Sequence, residues 1–174
     1  MSTSDCKVNV NESGVKPPGG GPAAQAKLLA MLQGSQFFGD FPAPGIETLT
    51  EYVQAKSVVP DTVKFREGDR GGFMCLVIAG SAEIFKQDNK FDSKRIGKIG
   101  PGKTIVEMAL VDGERRPATC ICPELSRLVM LTREQFVRIS EHPALSVNIL
   151  VKIVTLMSRR LRQTSGPLVD CLQD

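Results

Sequence analysis

The residues best suited to chemistry lie between Ile105 and Cys122, in the string IVEMALVDGERRPATCIC. A carboxylate, Glu107, stands among apolar neighbours, and Arg115 and Arg116 stand directly before an apolar, strand-like run. Glu107 and Arg116 are nine positions apart, on either side of a turn, an arrangement that suits a ligand carrying both hydroxyls and one phosphate. A carboxylate accepts hydrogen bonds from a sugar hydroxyl, and a planar guanidinium grips two phosphate oxygens at once. A one-turn helix near Met108 to Leu110 would add backbone amides as fixed donors for an anion. The plain alternative is a surface salt bridge across the turn.

A second string competes. GKIGPGKT, Gly97 to Thr104, fits the phosphate-loop pattern G-x-x-x-x-G-K-[ST] at every position, with Lys103 as its lysine. That loop needs a buried parallel strand before it and a helix of several turns after it. Here polar FDSKRI precedes it and only TIVEMALV follows, so GPGK reads as a tight turn. Arg115, Arg159, Arg160 and Arg162 read as a solvated face, His142 beside Pro143 as a helix-end residue, and Cys120 and Cys122 as strand positions facing the core.

The elements that must position these groups follow from composition and period. The 174 residues are 41% hydrophobic, enough for one domain of about 120 to 150 residues with tails. A formal charge of +3 names no nucleic acid or membrane partner. Five scattered cysteines and one histidine make a metal site or cofactor unexpected. No signal peptide or transmembrane run is read, which predicts a reduced, cytoplasmic protein. Residues 1–22, ending in KPPGGGP, read as a flexible leader. A helix is predicted from Ala23, and a second over Gly45 to Gln54 with Ile46, Leu49 and Val53 on one face.

From Ser57 to Leu131, seven β-prone runs alternate with turn residues: SVV, TVKF, FMCLVIAG, AEIFK, KRIGKI, ATCIC and RLVML. No helix-length segment lies between them, so the fold class is mainly β with flanking helices, an antiparallel sandwich or roll at about 57–131. TREQ predicts Thr132 as the N-cap of a short helix ending near His142. A long amphipathic helix should follow, with C-terminal helices spanning about 132–164 and a stop at Ser165-Gly166-Pro167, leaving a tail at 166–174. Its seam, Leu150, Val154, Met157 and Leu161, could pack on the roll or on another copy of the chain.

The string EMALVDGERRPAT resembles the phosphate-binding cassette of cyclic-nucleotide-binding domains, typically F-G-E-x-A-L, a variable loop, then R-(S/T/A)-A-(T/S). FREGDRGGFMCLVIAGSAEIF is similar to the family's strands and carries its two marker glycines, Gly68 and Gly80. The resemblance, to domains of the catabolite activator and protein kinase A regulatory subunit type, covers about residues 25–165 within a domain drawn at 23–165. It implies an eight-stranded jelly-roll-like β-roll whose C-terminal helix moves over the ligand.

It also implies that Glu107 holds the ribose 2′-hydroxyl, that Arg116 holds the cyclic phosphate, and that the amides of Met108, Ala109 and Ala118 line the pocket. Val106 stands where the pattern has glycine. Pro117, following the arginine, has neither N–H nor hydroxyl, and a hydroxyl there contacts guanine in cGMP-selective members, so cAMP is favoured over cGMP. The expected role is a sensor, not an enzyme, passing the helix movement to a protein partner or through a homodimer on that helix. Only about ten residues follow the long helix, so no DNA-binding segment is expected. The alternative is an empty-pocket family member acting as a scaffold, and a small ATPase is the third hypothesis.

Overall fold

The computed structural model describes residues 21–90 and 92–171, with side chains as far as 163. Most of the expected leader, and residues 172–174 of the expected tail, lie outside the described residues. Two helices open the fold, α1 (Pro22–Gln33) and α2 (Ala43–Leu49). Eight strands follow: β1 (Gln54–Val58), β2 (Thr62–Phe65), β3 (Phe73–Ala79), β4 (Ala82–Gln87), β5 (Ser93–Ile99), β6 (Thr104–Ile105), β7 (Thr119–Cys122) and β8 (Ser126–Thr132). The one-turn α3 (Met108–Val111) sits between β6 and β7, and α4 (Arg133–Ile139) and α5 (Pro143–Cys171) close the chain.

The strands form two four-stranded antiparallel sheets, ordered β1-β8-β3-β6 and β2-β7-β4-β5, the jelly-roll arrangement expected of a mainly β fold. The continuous apolar run of β3 has a physical reason: both of its faces are covered. Side chains alternate across a strand, so Cys75 and Val77 join the core inside the roll with Phe65, Ile105, Cys120, Cys122 and Leu128. Met74 and Leu76 face the other way, joining Val129 and Leu131 of β8 beneath the helices. Cys120 and Cys122 both point inward, fully buried. Desolvation raises the pKa of each thiol, and pushes that of Cys75 up to about 12.

Local signals placed several boundaries. The Thr132 side chain accepts a hydrogen bond from Gln135 N at 3.2 Å, capping α4 as predicted. The Gln135 side chain accepts from Arg138 rather than reaching back to the cap, so only half of the reciprocal box forms. Gly80 turns the chain between β3 and β4 with φ +76°, and a Cβ there would lie 2.7 Å from Leu125 O.

Four expectations change. The second helix ends at Leu49, and Val53 is buried from the connecting turn instead. Strand β6 is only two residues long, too short for a periodic signal; β3 supplies its pairing partners Cys75 and Leu76. The predicted α5 seam does not pack on the roll, since Leu150, Val154, Met157 and Leu161 are 39%, 62%, 38% and 70% exposed. The neighbouring stripe of Leu145, Ile149 and Ile153 takes that place, packed with Ile46, Leu49 and Ile139. Finally, α5 continues past Ser165-Gly166-Pro167 to Cys171; a proline removes one N–H donor from a helix, which can kink the helix without ending it. Among the described residues no helix is long and apolar enough to cross a membrane.

Candidate functional site

The cassette begins where β6 ends. Val106 adopts φ +57°, a left-handed conformation that a β-branched residue takes only at a cost of roughly 1–3 kcal/mol. The residue that stands in place of the family's glycine thus keeps a backbone shape suited to glycine. The surrounding packing, in which Val106 is partly buried against the inner core, offsets the strain. This kink carries the chain into α3 and turns Glu107 inward.

Glu107 is fully buried. Its Oε2 accepts a long hydrogen bond from Thr104 Oγ1, 3.4 Å away. Its Oε1 faces Nη1 of Arg160, from α5, at 2.5 Å; the contact is one of charge, and this oxygen has no hydrogen bond of its own among the described residues. Met108 is 44% exposed, whereas Ala109 is buried and donates its amide to Val106 O at 3.2 Å.

The other half of the cassette is held by the loop after β2. Gly68 N donates to Arg116 O at 2.9 Å, and Arg116 N donates to Asp69 O at 2.8 Å. Arg115 Nη1 donates to Gly68 O at 2.7 Å, so Arg115 fastens this loop rather than only facing solvent. Gly71 joins the two halves: its amide donates to Glu114 O, and a Cβ there would stand 2.8 Å from Ala109 Cβ. Only a residue without a side chain lets α3 and the Glu114–Arg116 segment close on one loop.

Arg116 is 2% exposed. Its guanidinium lies over two rings, 4.6 Å from the Phe65 centroid and 4.3 Å from that of Phe73, and Nη2 donates to Phe73 O at 3.0 Å. Nε and Nη1 have no hydrogen-bond partner, and no carboxylate among the described residues lies within ion-pair distance. Burial lowers its pKa from the ordinary value, but arginine titrates so high that the cation persists. A buried cation with two unused donors on one planar group is costly unless an anion meets it. The aromatic pair holds the plane in place for bidentate contact. Pro117 is exposed and Ala118 buried, leading into β7.

The rival loop does not form a phosphate cradle. Residues 100–103 make a turn bound to β3, with Gly102 N donating to Val77 O and Lys103 N to Gly100 O. The two-residue β6 follows rather than a helix. His142 lies at a helix end, 3.0 Å from the Tyr52 hydroxyl through Nε2.

Sequence reasoning singled out Glu107 and Arg116, both buried and on the two halves of the cassette that Gly71 joins, but missed Phe65, Phe73, Gly71 and Arg160. For Arg160 a signal existed: residues 149, 153, 156 and 160 share one helical stripe, so the arginine extends the row of inward-facing side chains. Nothing local marks the two phenylalanines, which come from different sheets.

A model of the cyclic nucleotide-binding domain matches residues 55–142. The cyclic AMP receptor protein of Thermus thermophilus is 25% identical over 132 residues, which cover 76% of this chain and 60% of that protein. The chain thus spans about 60% of the length of that curated relative. Among solved structures, a cyclic nucleotide-binding domain from Methylobacillus flagellatus shares the fold at TM-score 0.72 and 24% identity, covering 84% of this chain and 83% of that one. The regulatory domain of Toxoplasma gondii PKA, crystallised with cAMP, superposes at TM-score 0.59 and 25% identity, over 68% of this chain and 45% of that one.

Proposed function

Since the chain belongs to the cyclic nucleotide-binding domain family, we propose that it is a cyclic-nucleotide sensor whose signal leaves through α5. One observation carries this reading: the buried, ring-stacked guanidinium of Arg116 has two donors unmatched by any described group. A cyclic phosphate supplies the missing acceptors, and Glu107, on the facing half of the cassette, accepts a ribose hydroxyl. The amides of Met108 and Ala118 contribute at the edges, whereas that of Ala109 already serves the α3 turn. Pro117 has no hydroxyl to offer guanine, which favours cAMP over cGMP. None of these groups forms a nucleophile and base pair, so the role is regulatory rather than enzymatic. We read the domain as cytoplasmic and as acting through a protein, not through DNA or a membrane. The exposed face of α5 is where a second copy of the chain would pair.

Calorimetric titration with cAMP and with cGMP tests the reading, with Arg116→Ala as control. Saturable binding is expected, tighter for cAMP. The variant should weaken it by about a hundredfold or more, as for truncating one partner of a buried charged pair. A scaffold with a closed pocket is favoured by one feature only, the neutralisation of Glu107 by Arg160, and the absence of heat with either nucleotide would select it.

A further inference from the structure

A cleft of about 480 Å³ lies between α5 and the turn that carries Asp40 and Phe41, and none of the cassette residues lines it. On the α5 side its wall is made by positions 148, 151, 152, 155, 156 and 159. These are spaced three and four apart, one helical stripe about 16 Å long at 1.5 Å per residue. The floor is apolar. Leu156 and Phe41 are partly buried against the helical core, and Phe41 is fixed edge-on to Phe38 with ring centroids 5.4 Å apart. Val151 is 59% exposed. Charge sits at two points along this floor. Lys152 reaches across the cleft to Asp40 Oδ2 at 2.6 Å, and Arg159, at the far end, is exposed and forms no ion pair with a described residue.

We propose that this cleft is the docking site for an acidic, amphipathic helix of a partner protein. The apolar side chains of that helix would lie on Phe41, Val151 and Leu156, and its carboxylates would meet Arg159 and Lys152. A straight groove walled by one helical stripe suits a helix laid into it, read through anchors three and four residues apart. The charge decides the sign of the occupant. Between Pro143 and Gln163, α5 carries Lys152, Arg159, Arg160 and Arg162 and no Asp or Glu. The α5 of a second copy, laid in the cleft, would therefore set cations against cations. The apolar floor favours a peptide over a nucleic acid, whose backbone offers phosphates and no apolar side chains. The inference names the chemistry of the protein partner that the sensor reading calls for, yet it stands on the cleft alone.

The test uses the full chain without nucleotide and a fluorescein-labelled, helix-forming peptide of 14 residues. The peptide has Leu at two successive i, i+3, i+4 repeats and Glu at the flanking positions, and fluorescence anisotropy reads its binding. Saturable binding with a Kd below about 1 mM is expected. Arg159→Glu, at an exposed position, should weaken it about tenfold. Asp40→Asn releases Lys152 from its own carboxylate and should tighten it about threefold. A peptide with Lys in place of Glu should bind only the Lys152→Glu, Arg159→Glu double variant. Methyl resonances of Val151 and Leu156 should shift on binding. No saturation, equal binding by Arg159→Glu, or shifts confined to residues outside the cleft would overturn the proposal. Equal binding of an oligouridylate of the same charge would show a face that takes any polyanion, and would overturn it too. If the peptide binds as expected and wild type takes up neither cyclic nucleotide, the docking site stands and the sensor reading fails.

Discussion

The first part of α5 and the stretch that ends at Arg160 belong to one helix, yet they are attached by opposite means. Leu145, Ile149 and Ile153 are at most 4% exposed and share a core with α1, α2, α4 and the outer face of β3 and β8. Beyond them the inward stripe continues through partly buried Leu156 to Arg160, which meets the buried carboxylate of Glu107 in the cassette. Apolar packing is indifferent to ligand and salt at this level, while an ion pair with one half-exposed partner responds to both. A helix anchored at one end by burial and at the other by charge has a fixed pivot and an adjustable tip. On the proposed reading, in which the nucleotide meets Glu107 beneath the tip, that division assigns the reporting role to the distal half.

The comparison can be broken most severely at the pivot. Ile153→Ala removes a fully buried side chain and should cost about 2–5 kcal/mol of global stability, read as a lower urea midpoint with an unchanged slope. A loss below about 1 kcal/mol would mean that the proximal half is not the anchor.

A smaller effect is expected on the outer face. Val147, Leu150, Val154 and Met157 follow the 3-4-3 spacing of a coiled-coil seam and are all exposed. Val154→Glu should leave stability within about 0.5 kcal/mol and, with α5 as the pairing surface, convert a dimer to a monomer in light scattering. A wild-type protein that is monomeric at all concentrations would remove the seam as the contact for a second copy.

The smallest effect concerns Lys152, within the pivot half and next to Ile153, which donates to Asp40 Oδ2 at 2.6 Å. That hydrogen bond, aided by the lysine's charge, lowers the Asp40 pKa from 3.8. A depressed folded pKa stabilises the fold above the ordinary value, and the gain is lost as pH falls through the lowered one. Asp40 is 67% exposed, so solvent screening limits the contribution to about 0.5 kcal/mol or less. Asp40→Asn should therefore differ slightly from wild type at neutral pH and not at all well below pH 3.8, in urea unfolding at each pH. A difference that persists in acid would point to packing rather than charge.

Much of the fold was legible because its signals are local. Seven of the eight strands announced themselves by β-prone runs between turn residues, Thr132 by its capping position, and Gly80 by a turn that no other residue could make so closely. Glu107 and Arg116 were legible as a pair because the cassette is continuous in sequence. The stop expected after α5 failed for the converse reason: Gly166 and Pro167 weaken a helix locally without dictating its end.

What the sequence determined by itself, then, is the set of short-range features: strand period, caps, turns and the charged residues of the cassette. Tertiary structure alone decided which of the two apolar stripes of α5 is buried, since Ile149 with Ile153 and Leu150 with Val154 are equally plausible by period, and the helices and sheet opposite choose between them. It alone set Arg116 over the rings of Phe65 and Phe73, from strands of different sheets, and brought Arg160 to Glu107. Such pairings depend on where distant elements pack against one another, and no periodicity within a single element encodes that.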